Sequence, residues 1–73
     1  MRFQTHLLRK YNCFLQTLLS RHLSSFEYDK YRARIFDIKK QLQAVNAEDM
    51  TDTAFQYYIN CCYIIAQLEA YYG

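Results

Sequence analysis

The chain has no proline, and its single glycine is the last residue, Gly73. Proline and glycine are the usual punctuation of turns and hairpins. A chain without them inside its length is restricted to helices joined by short connections. Ala, Leu, Gln, Lys, Arg and Glu supply helix propensity, and Tyr, Phe and Ile subtract only a little. Seventy-three residues make one domain, 1–73. At 52% hydrophobic the chain is too apolar for disorder. It still buries only about 60% of the surface its unfolded form exposes, so its core is marginal unless a partner contributes.

Apolar residues placed at about 100° per position define three stripes. In the first segment Phe3, Leu7, Tyr11, Phe14 and Leu18 share a face, widened by Leu8, Leu15, Leu19 and His22. In the second, Tyr28, Tyr31, Ile35, Ile38, Leu42 and Val45 step alternately by three and four, a coiled-coil-like seam. The two stripes are out of phase, which places a turn near Leu23 to Ser25. Ser24 and Glu27 fit a capping box at that point. Asn46 is a candidate left-handed end for the second helix. Asp49, Thr51 and Asp52 are candidate caps for the third. The expectation is an all-α, small antiparallel three-helix bundle with helices at about 3–23, 25–45 and 51–72. The alternative is a long helical hairpin, with the first two helices continuous through a kink.

The third segment carries Ala54, Tyr58, Cys61, Ile65, Leu68 and Tyr72 on its main stripe. Tyr57, Ile64 and Tyr71 flank it on one side, and Phe55, Ile59, Cys62 and Ala66 on the other. The 16 residues between Asp52 and Glu69 are uncharged. A membrane span needs about 20 predominantly apolar residues, and Gln56, Asn60 and Gln67 interrupt this stretch, so a membrane helix is not expected. Two neighbouring helices cover a stripe of roughly 100° or a little more, yet apolar groups occupy about two-thirds of this wheel. Tyrosine tolerates water, so a central bundle helix with its hydroxyls in solvent accounts for part of the excess. A contact surface accounts for the rest, because tyrosine buries much area and keeps a polar tip. Phe55, Ile59 and Tyr63 are therefore candidate partner-binding residues, and self-association through the third helix is expected.

A second candidate patch lies on helix two. Phe36 points away from the seam, among Arg32, Ala33, Lys39, Lys40 and Gln43. A phenylalanine rimmed by long cations has the form of an interface anchor; it is also the form of a lone aromatic covered by Lys and Arg stems. Residues 1–25 carry four basic groups and no acid, and residues 46–73 carry four acids and no base. Such asymmetry orients partners. Within one chain, it also brings the acidic start of helix three towards Lys39 and Lys40.

Catalysis is not expected, and no catalytic residue, metal or cofactor is assigned. His6 and His22 stand about 24 Å apart along one helix. Cys61 and Cys62 point about 100° apart. No interior glycine is available for a phosphate-cradling loop. The three cysteines are odd in number and lack a framework spacing, which points to reduced thiols in the cytoplasm packing as small hydrophobes. No secretory signal is read, although an acid-free basic N-terminus is also the pattern of an organelle presequence.

The function expected is a non-enzymatic interaction module that binds a larger protein as escort, co-chaperone or steric inhibitor. Small secretion co-chaperones, helical phage inhibitors and plasmid regulators share this size and helix count, but architecture does not determine function. The alternative is a nucleic-acid-associated regulator, with Arg32, Lys39 and Lys40 on phosphates and Phe36 stacked on a base. Against it, the basic residues of helix two spread round its circumference, with Asp29 and Asp37 among them. The 24-SSFEYD-29 junction also lacks the glycine turn common in helix-turn-helix units.

Overall fold

The computed structural model describes residues 5–72, and the side chain of residue 47 is left aside. Helices α1 (Thr5–Ser20), α2 (Ser25–Gln43) and α3 (Asp52–Tyr72) form an all-α three-helix bundle, with a 3-10 turn, Ala47–Asp49, before α3. Phe3, expected on the first stripe, lies outside the described residues. The molecule measures 37 × 19 × 18 Å. Residues 21–24 are not helical and Ser24 is an extended N-cap, so the first two helices are not continuous and the hairpin alternative is excluded.

Each boundary has a local cause. The chain leaves α1 at Ser20, earlier than the expected 23. Ser24 then caps α2: its hydroxyl accepts the Glu27 N–H at 3.1 Å, and the Glu27 carboxylate accepts the Ser24 N–H at 3.2 Å. These bonds to Ser24 hold the Glu27 carboxyl below its ordinary value. Helix α2 ends at Ala44 in a right-handed conformation. No described residue has positive φ, so Asn46 is not the left-handed cap expected. Its side chain instead accepts the Glu48 N–H at 3.1 Å and closes the following turn. Of the three candidate caps for α3, Thr51 takes the role, its hydroxyl accepting the Ala54 N–H at 3.2 Å.

Helices α1 and α3 run parallel, and α2 runs against both. Leu8 meets Cys61 at one end, Leu23 meets Tyr72 at the other, and Tyr28 at the start of α2 stacks on Tyr72. The closest approach is between α1 and α3. Small Cys61 at their contact permits it, and its thiol donates to the Leu8 carbonyl at 3.8 Å. Asn60 donates to Asn12 at 3.1 Å on the rim of the same contact. Helix α2 faces inward with Tyr28, Ile35, Ile38 and Leu42, whose bulk holds it further off.

The core joins Leu8, Leu15 and Leu18 to these α2 residues and to Ala54, Cys61, Ile64, Ile65 and Leu68. Two expectations fail here. His22, expected as a half-buried packing residue at the edge of the α1 stripe, is exposed, because the helix ends at Ser20 before the stripe can carry it inward. Of the three thiols, only Cys61 packs in the core; Cys13 and Cys62 are exposed. Burial, followed by the neighbouring Cys62, pushes the Cys61 thiol up to about 12.

Candidate partner-binding groove

Because α2 stands off from α3, the two helices leave an open groove between them. Its larger part has a volume of about 670 Å³ and is floored by Tyr28 and Ile35. Arg32, Phe36 and Lys39 line it from α2, and Glu69 from α3. A smaller part, about 320 Å³, continues along α3 past Tyr58, Cys62, Ile65 and Ala66. Lys39 and Glu69 border both parts. The Lys39 Nζ lies 3.0 Å from each Glu69 carboxylate oxygen, so this ion pair bridges the groove.

The acidic start of α3 was expected beside Lys39 and Lys40. Lys39 pairs with Glu69 instead. The Tyr28–Tyr72 stack sets the register of α2 against α3, and Lys39 then lies along the middle of the groove and reaches towards the C-terminal half of α3. Arg32 pairs with Asp29 at 3.0 Å and also covers the Tyr28 ring at 5.1 Å. Lys40 sits over the Phe36 ring at 5.6 Å. The three cations named for phosphate contact are thus all engaged within the chain. Elsewhere on α2, Lys30 covers Phe26 and Arg34 covers Phe14.

Phe36 is 60% exposed at the lip of the groove. The structure therefore brings Arg32, Phe36 and Lys39 to one cavity, with Lys40 against the outer face of Phe36. Phe55, Ile59 and Tyr63 form a separate strip on α3, with exposures of 38%, 46% and 60%. Phe55 stacks on Tyr58, which lines the smaller part of the groove. Sequence reasoning missed Glu69 and Tyr28 as groove residues. The signal for Tyr28 was hidden in the seam, because a side chain buried on the core stripe gives no sign that it also floors a groove. Burial raises the Tyr28 hydroxyl above its ordinary value.

Among the described residues, no group of three or more His, Cys, Asp and Glu side chains could hold a metal ion. No described helix is long and apolar enough to cross a membrane. No protein-family model, curated protein or solved structure matches the chain.

Proposed function

We propose that this chain is a non-enzymatic, cytoplasmic interaction module that takes an amphipathic helix of a larger protein into the α2/α3 groove. Its effect is to escort that protein or to block it sterically. The observation that carries this reading is the gathering of Phe36, Arg32 and Lys39 around an apolar floor of Tyr28 and Ile35. An incoming helix with apolar residues at i, i+3 or i+4, and i+7 fits such a floor. Acidic residues along one edge of that helix complement Lys40, which sits over the Phe36 ring. The nucleic-acid alternative has less support, because a phosphate must compete with Asp29 for Arg32 and with Glu69 for Lys39.

The test is capture from native lysate with tagged wild type and with Phe36→Asp, with and without nuclease, at moderate salt. The reading requires a stoichiometric protein held by wild type, insensitive to nuclease and lost with Phe36→Asp. Equal capture by Phe36→Asp rejects the groove. Capture that disappears with nuclease, or falls steeply between about 50 and 200 mM salt, moves the function to nucleic acid.

A further inference from the structure

Two residues of the α3 strip, Phe55 and Ile59, continue into the edge of the groove through Cys62 and Ala66. Phe55, Ile59, Cys62 and Ala66 are all exposed and follow one another by four, three and four residues. This is the spacing of a coiled-coil seam, and it lies beside the stripe that α3 turns to its own bundle. From Asp52 to Glu69 no charge interrupts it. The seam is large at one end and small at the other.

We infer that this seam is the interface for a second copy of the same chain, paired α3 to α3 in antiparallel fashion. A two-fold axis passing between the levels of Asn60 and Cys61 sets Phe55 opposite Ala66 of the second copy. It sets Ile59 opposite Cys62. Every layer then joins a large side chain to a small one, the complementarity that fills a helix–helix contact without voids or clashes. A two-fold interface must be complementary to itself, and this sequence of sizes meets that condition. A parallel pairing does not, because Phe55 would meet Phe55 and Ala66 would meet Ala66.

The layer beyond places Asp52 of one copy level with Glu69 of the other. Two carboxylates alone would repel each other. Glu69, however, already holds the Lys39 ammonium at 3.0 Å, so each end carries one cation with its two acids. The second α3 covers the smaller part of the α2/α3 groove, which Cys62 and Ala66 line, and leaves Phe36 free. The pairing occupies only the smaller part of the groove, so its test, which needs only the purified chain, stands or falls separately from the proposed function at Phe36.

Sedimentation of the purified chain across about 1–200 µM gives the first test. The expected result is a dimer whose Kd rises at least about tenfold with Ile59→Asp and also with Ala66→Phe, both folded by circular dichroism. Ala66→Phe is decisive, because it adds apolar surface and would strengthen a merely sticky face. In this register it drives two phenylalanines into one layer. In a Cys13→Ser background, Ile59→Cys should form a covalent dimer with Cys62 of the second copy on mild oxidation, and Gln67→Cys should not. A wild type that stays monomeric throughout overturns the proposal, as does a dimer that Ala66→Phe strengthens. Equal cross-linking of the two cysteine variants rejects the register.

Discussion

The Tyr72 ring lies flat on that of Tyr28, with centroids 4.4 Å apart and planes 12° from parallel. Its hydroxyl also accepts the Leu23 backbone N–H at 3.1 Å. One side chain at the end of α3 thereby ties down the start of α2 and the turn that follows α1. Tyr72→Phe removes only the hydrogen bond and should cost about 1 kcal/mol. Tyr72→Ala removes the stack as well and should cost about 2–3 kcal/mol. Urea denaturation of the two variants separates the contributions; equal losses would show that the stack adds nothing.

Leu15 is completely buried, whereas Phe36 is mostly exposed. Leu15→Ala should therefore lower stability by about 2–5 kcal/mol, a large share of what so small a domain possesses. Phe36→Asp should leave the melting temperature nearly unchanged. A cooperative thermal melt checks both, and a large loss with Phe36→Asp would make that residue structural.

The three thiols should react in a definite order. Cys61 is fully buried with its thiol pushed up to about 12, so it should resist alkylation at pH 8 in the folded protein. Cys13 is exposed on α1 and should react first. Cys62 should be intermediate, since it is accessible but burial by its surroundings raises its thiol above the ordinary value. Timed iodoacetamide labelling read by mass spectrometry gives the order. Rapid modification of Cys61 would mean that α1 and α3 part readily.

The capping box gives α2 a dependence on acid. The folded Glu27 value is lowered, so its stabilising effect is complete above the unfolded carboxyl value of about 4.3. It is lost as the pH falls through the lower folded value. The first turn of α2 should then lose amide protection relative to the intrinsic exchange rate at each pH, and Glu27→Gln should flatten this response. Amide exchange at Ser24 and Glu27 measured down the pH scale checks it.

Local features were legible in the chain because their causes are local. The Ser24–Glu27 box lies within four residues, and the α2 seam of Tyr28, Ile35, Ile38 and Leu42 is a matter of spacing. The exposure of Phe36 and of Phe55, Ile59 and Tyr63 followed from their places on the wheel. The failures lie where a distant partner or a helix end decides. His22 was assigned to a stripe that stops at Ser20. Asn46 was given a left-handed cap, but its side chain found the Glu48 amide.

By itself, then, the sequence determined three helices, the phase break between the first two, and an α3 with more apolar circumference than two neighbours can cover. These follow from periodicity and from the absence of interior turn residues. Only the tertiary structure decided that Lys39 pairs with Glu69, that Cys61 is shut in while Cys62 is not, and that Phe36 borders a groove floored by Tyr28 and Ile35. Those outcomes depend on how closely the helices approach and in what register. The bulk of the α2 core residues and the smallness of Cys61 set the approach, the Tyr28–Tyr72 stack sets the register, and all of them act only once the helices meet.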